Sequence, residues 1–134
     1  MSYLIDTVVL SELRKQKRSE NVVRWFSSTR GVDIFLSVVT IGEIERGIKQ
    51  QQQINPEFSL QLTKWLDGIL LNYADRIIPI SVKIARRWGE LSATIGNSGV
   101  DILIAATALE HGLSVVTRNE KHFKQTGVPV VNPF

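Results

Sequence analysis

Three carboxylates define the chemistry open to this sequence. Asp6 ends the first apolar run, Tyr3-Leu4-Ile5. Glu43 lies a few residues beyond the second, Ile34-Phe35-Leu36. Asp101 opens the very apolar stretch Ile102-Leu103-Ile104-Ala105-Ala106-Thr107-Ala108-Leu109. Each also has an ordinary structural explanation. Asp6 suits the N-cap of a helix starting near Val8; Thr40 and Glu43 have the spacing of a capping box; and Asp101 suits the positive end of a helix dipole, an effect worth under about 1 kcal/mol. Brought together, however, three acids from distant segments would repel one another unless a cation neutralised them. The chain has no cysteine, so thiolate ligands are excluded, and an all-oxygen set favours Mg²⁺ or Mn²⁺ over zinc. Such an ion acidifies a bound water and stabilises charge on a phosphodiester, which makes phosphate-ester hydrolysis the expected reaction.

These acids must be positioned by an alternation of short strands and longer helices. Strand-like runs recur at Tyr3-Leu4-Ile5, Ile34-Phe35-Leu36, Ile77-Ile78-Pro79-Ile80, Leu113-Ser114-Val115-Val116 and Val128-Pro129-Val130-Val131. Between them lie helical stripes. Ile84, Trp88, Leu91 and Ile95 share one face, as do Phe58, Leu62, Trp65, Leu66 and Ile69 one helix earlier, and Ile41, Ile44 and Ile48 form a third stripe. Asn55-Pro56 supplies a cap and a first-turn proline, Gly112 closes a helix running from about Val100 to His111, and Gln50-Gln51-Gln52-Gln53 reads as the polar end of a helix. Alternation of this kind predicts an α/β sandwich with a mostly parallel, roughly five-stranded sheet covered on both faces. In such a sheet, chemistry collects beyond the carboxyl ends of the strands. A helix that opens at Asp101 and leads into the strand at Val115 places Asp101 at the same edge as Asp6 and Glu43. Thr117-Arg118-Asn119 then adds a hydroxyl and an amide there.

Composition sets the frame. The 134 residues are 43% hydrophobic and 22% charged, which fits one self-folding domain over residues 1–134. Asp6 interrupts the N-terminal run before a signal-like stretch develops, and no window approaches a membrane span, so a cytoplasmic protein is expected. A net charge of +3 and a sequence pI near 9.5 suit a polyanionic partner. Arg14, Lys15, Lys17 and Arg18 form the densest basic run, with Arg118, Lys121 and Lys124 near the active edge. Such charge gives salt-dependent affinity rather than sequence choice. Trp25, Trp65 and Trp88 fall in helical patterns and read as core rather than as stacking platforms.

The strings Leu4-Ile5-Asp6-Thr7 with Leu10-Ser11-Glu12-Leu13, Ile41-Gly42-Glu43-Ile44, Asp101-Ile102-Leu103-Ile104-Ala105-Ala106-Thr107-Ala108 and Thr117-Arg118-Asn119 resemble VapC toxins of the PIN-domain family. They stand in family order and cover nearly the whole chain. The resemblance implies a PIN-like three-layer α/β/α fold and a Mg²⁺- or Mn²⁺-dependent endoribonuclease toxic to its own bacterial or archaeal host. It implies a structured RNA target such as tRNA or ribosomal RNA, whose cleavage arrests translation and growth. It implies a homodimer and a VapB-like antitoxin, joined in a toxin-antitoxin hetero-oligomer. It assigns catalysis and metal binding to Asp6, Glu43 and Asp101, with Thr7, Thr117, Arg118, Asn119 and His122 contacting substrate or supporting the acids. Two positions depart from the family pattern. Val8 stands where many relatives carry Asn, and His122 stands where many carry a fourth acid. Glu120 is a nearby substitute, while Glu12 is expected to face solvent or orient a neighbour. Two other readings compete: a degenerate PIN fold kept for binding, and a receiver-like Mg²⁺-binding regulatory domain. The latter fits less well, because Ile80 leads into Ser81-Val82-Lys83 rather than a phosphoacceptor Asp.

Overall fold

Strand β1 (Tyr3–Ile5) lies at the centre of a five-stranded parallel sheet of order β3-β2-β1-β4-β5 in the computed structural model, which describes all 134 residues. β2 (Ile34–Ser37) pairs with β1 through Tyr3 opposite Ile34, and β4 (Ser114–Val116) pairs on the other side through Tyr3 opposite Ser114. β3 (Ile77–Ile78) and β5 (Val130–Val131) are the edges. The chain thus builds outward from β1 in one direction and then returns to build in the other. That reversal makes the β1/β4 boundary a topological switch point, where connections diverge and leave a crevice at the carboxyl edge.

Both edge strands are shorter than the runs 77–80 and 128–131 predict, and proline is the reason. Pro79 has no N–H to donate to a ladder, and β3 stops at Ile78. Pro129 still accepts a bond through its carbonyl from the Val115 N–H at 2.9 Å, but regular pairing begins only at Val130.

The helices cover the sheet on two sides. Alternate residues of each strand point to opposite faces, and the core divides accordingly. Ile5, Ile34, Leu36 and Val116 pack against α1 (Thr7–Glu12), α2 (Glu20–Ser27), α3 (Val38–Ile54) and α4 (Pro56–Asn72). Leu4, Ile78 and Val115 pack against α5 (Val82–Ile95), α6 (Val100–His111) and α7 (Glu120–Lys124). Trp25 and Trp65 pack at the margin of the first core and Trp88 at that of the second, as their helical positions predict.

Local signals explain most helix ends. Asn55 accepts the Phe58 N–H at 3.2 Å with Pro56 in the first turn, and α6 ends at Gly112 with φ +65°, a left-handed conformation that glycine adopts without strain. The expected capping box is corrected by the structure. α3 starts at Val38, and Ser37 is its cap, accepting the Val39 N–H at 3.1 Å. Thr40 and Glu43 therefore sit inside the helix, and Glu43 does not serve its end. The five-residue α7 was not foreseen, being too short to show a period.

Candidate active site

Asp6 follows β1 directly and is 3% exposed. It occupies the N-cap position of α1, yet its carboxylate makes no capping bond to the helix. Instead, the Thr117 hydroxyl, just beyond β4, donates to Asp6 Oδ2 at 2.8 Å across the switch point. The Asp6 N–H meanwhile donates to the Val116 carbonyl at 2.9 Å. The Thr117 hydroxyl also accepts the Asn119 N–H at 3.0 Å, so the loop after β4 is folded around the same contact.

Glu43 reaches the edge from the second turn of α3. The Thr7 hydroxyl donates to Glu43 Oε1 at 2.5 Å and lies 3.1 Å from the buried Thr40 hydroxyl. Thr40 is the site residue that sequence reasoning placed wrongly: a hydroxyl one turn before an acid looks like a cap. Here it fills a buried niche one turn below Glu43 instead.

Asp101 stands in the first turn of α6, half-buried, and its Oδ2 lies 2.8 Å from His122 Nδ1. An ionised carboxylate only accepts hydrogen bonds, so the proton belongs to Nδ1. His122 is thus joined to the site through Asp101. The other expected contacts are looser. The Asn119 side chain makes no bond to any of the acids and does not cap α7. The Arg118 guanidinium lies over the Phe134 ring, 3.8 Å from its centroid, and its charge acts on Glu12. Glu120 accepts from Asn132 Nδ2 at 3.2 Å, which ties it to the C-terminal segment. Glu12 does not face solvent: it is buried, accepts from Lys15 Nζ at 3.0 Å and from the Ser19 N–H at 2.9 Å, and is held below the usual carboxylate range, first by Lys15. Val8 is exposed and offers no polar group.

Electrostatics tie the three acids together. The Asp6 carboxyl is pushed up from 3.8 to about 6, chiefly by burial and further by repulsion from Asp101 and Glu43, against the Thr117 hydroxyl and the Thr7 backbone N–H. No three acidic or imidazole side chains stand preassembled at coordinating distance. Glu43 is nonetheless exposed and Asp101 half-buried, which leaves both side chains room to rotate. A raised, like-charge-crowded carboxyl among oxygen donors fits a hard divalent cation.

A pH dependence follows. The folded chain holds a proton on Asp6 that the unfolded chain has already lost between pH 3.8 and about 6. Stability without metal therefore falls as pH rises through that window, by about 3 kcal/mol at most, and levels off above it. Urea unfolding of wild type and Asp6→Asn at about pH 4 and about pH 7.5 checks this. The variant should gain on wild type by that amount at the higher pH, and a constant difference would show that Asp6 is not strained by burial.

Comparison with known proteins agrees with the fold. Residues 3–129 match the PIN domain family model. The chain is 32% identical to Toxin FitB of Neisseria gonorrhoeae, over 98% of this chain and 97% of that protein. It is 30% identical to VapC ribonuclease Y4jK of Sinorhizobium fredii, over 98% and 96%. The crystal structure of FitAcB from Neisseria gonorrhoeae superposes with a TM-score of 0.87 at 33% identity, over 98% of this chain and 97% of that one. A match over nearly the whole chain identifies this protein as a member of the PIN-domain family in its VapC-like toxin branch.

Proposed function

We propose that this chain is a Mg²⁺- or Mn²⁺-dependent endoribonuclease, the toxin of a VapBC-like toxin-antitoxin pair, with one PIN-type nuclease domain over residues 1–134. The observation that carries the reading is the gathering of Asp6, Glu43 and Asp101 at the switch point, with Asp6 held by Thr117 and crowded by the other two. When bound, the ion supplies Lewis-acid stabilisation of the phosphodiester and a more acidic water.

The chain's own residues do the rest. Asp6, Glu43 and Asp101 hold the ion. Thr117 orients Asp6, Thr7 orients Glu43, and His122 orients Asp101. Asn119 keeps its amide free for the substrate. A depression of about 290 Å³ lined by Arg118, Asn119, Glu120, Lys121 and His122 adjoins Asp101 and gives the RNA backbone a basic approach. Phe134 now covers Arg118, so that contact requires the ring to move. The substrate is a structured RNA, tRNA or ribosomal RNA, whose cleavage arrests translation. The chain works in the cytoplasm; none of its helices is long and apolar enough to cross a membrane. Its partners are a second copy of itself and a VapB-like antitoxin. The solved relatives include FitAB bound to an IR36 DNA fragment, and by analogy the assembled pair would bind DNA.

The test is cleavage of total cellular RNA by the purified chain with Mg²⁺, with Mn²⁺ and with excess EDTA. Cleavage with either ion and none with EDTA is expected, while the circular dichroism spectrum stays unchanged because the fold does not need the ion. Undiminished cleavage in EDTA would remove the metal mechanism. No cleavage under any condition by a folded chain would favour the degenerate reading that Val8 and His122 suggest.

A further inference from the structure

The basic run after α1 has no part in the acidic site, and most of it is tied down. Lys15 pairs with Glu12 at 3.0 Å, and Arg18 Nη1 donates to the Leu13 carbonyl at 2.9 Å. Arg14 is different: its guanidinium lies over the Phe58 ring, 5.1 Å from the centroid, and 6.0 Å from that of Trp65. Arg14 is exposed, and none of the chain's ion pairs engages it. Arg14 and Trp65 both line two depressions, which therefore adjoin. The smaller, of about 130 Å³, leads to Thr7, Ser11 and Glu43; the wider, of about 370 Å³, is bounded by Arg18, Phe58 and Gln61. We infer that this groove is a subsite for one unpaired nucleotide of the RNA, with Arg14 on its phosphate and Phe58, Trp65 and Gln61 against its base. The inference rests on the nuclease reading above and adds a place where the strand is held beside the acids.

Charge and shape both favour a nucleotide. No acid lines the wider depression, so Arg14 and Arg18 face no carboxylate there. A guanidinium presents a planar fork of N–H donors that matches a phosphate through two bonds. Unstacked bases settle on aromatic rings and guanidinium planes, and their edges hydrogen-bond to polar side chains such as the Gln61 amide. A base stacked inside a duplex has no face to offer. An acidic protein segment would meet the same arginines. RNA is favoured because the groove runs on to Glu43, where the nuclease reading already places the strand.

The fold holds both walls of the groove in place. Buried Glu12 accepts the Ser19 N–H at 2.9 Å and so closes the turn between α1 and α2, while the Arg14 N–H donates to the Ser11 carbonyl at 3.3 Å. Phe58 stands in the first turn of α4, its N–H donating to Asn55 Oδ1 at 3.2 Å. Trp65 lies two turns further along and packs against the core. Stacking on Phe58 restricts the Arg14 guanidinium before any ligand arrives, so less freedom is lost when one binds.

Fluorescence anisotropy of the full chain with a short labelled single-stranded RNA of mixed sequence, in excess EDTA and over a range of salt, tests this. Arg14→Ala should weaken binding about tenfold or more and flatten the slope of log affinity against log salt by about 0.7, the share of one phosphate. Arg14→Lys should restore the slope. Phe58→Leu should weaken binding about fivefold or more through lost stacking while leaving the slope unchanged. Lys83→Ala, exposed on α5 across the sheet, removes the same charge and should change neither. Arg14 is exposed, so its variants should melt like wild type, and they decide the question if Phe58→Leu does not fold. Equal effects of Arg14→Ala and Lys83→Ala would overturn the inference and leave the nuclease reading standing. Arg14→Ala that keeps its RNA affinity but no longer binds the cognate antitoxin would give the groove to a protein partner, and so overturn it too. Failure of wild type to bind the RNA in EDTA would also overturn it, since the groove needs no ion, whereas the nuclease reading stands or falls on the cleavage assay above.

Discussion

Asp101→Asn should lower cleavage of a defined RNA by at least about 100-fold, the scale on which losing one well-placed electrostatic group acts on a transition state, while the metal-free fold melts almost unchanged. The substitution keeps side-chain size and an oxygen able to accept from His122 Nδ1–H, so the bond between α6 and α7 has a replacement. It removes a favourable charge from the first turn of α6, which costs about 0.3–1 kcal/mol. It also removes one of the two acids that crowd Asp6, which works in the opposite direction. The Asp6 carboxyl should fall back toward its ordinary range while staying raised, since burial is the larger cause. Cleavage within a few-fold of wild type, measured beside metal-free melting curves, would refute the site assignment. A large drop in melting temperature would instead make Asp101 a structural residue.

Expression of the wild-type chain without a partner should reduce colony formation by orders of magnitude, and co-expression of its cognate antitoxin should restore it. Glu43→Gln separates toxicity by cleavage from toxicity by mere overproduction. The amide keeps an oxygen for the Thr7 hydroxyl that now reaches Oε1, and Glu43 is exposed rather than part of the core, so the variant should accumulate normally. Because it carries one charge fewer toward the ion, it should be harmless. Equal toxicity of the two chains at equal abundance would separate growth arrest from the acidic site. Normal growth with a folded chain that cleaves RNA in vitro would remove the toxin role and leave the nuclease.

Much of this was legible in the sequence because the signals were local. Period and caps gave α4 its start at Asn55-Pro56 and α6 its end at Gly112. They also gave the buried stripe of Ile44 and Ile48 on α3, with Glu43 left outside it. The alternation of elements gave the parallel sheet, and a helix opening at Asp101 fixed which edge that acid shares.

Tertiary structure decided which of two local alternatives won and which partners met. Ser37 and Thr40 are both hydroxyl residues able to cap α3. The choice fell to Ser37 because β2 ends there in register with Ile78, so the helix can begin at once. Thr40 was thereby turned inward beneath Thr7. Asp6 could have capped α1, but its carboxylate is held by Thr117, which is 111 positions away in the chain. No local pattern encodes such a contact, since it exists only because β4 inserts beside β1 on the side opposite β2. Pairing of β1 with β2 on one side and β4 on the other sets the like charges of Glu43, on the helix after β2, and Asp101, on the helix before β4, near the buried Asp6. The acids could be read from the chain, but their mutual repulsion, and with it the demand for a cation, arises only when strand order closes the distance between them.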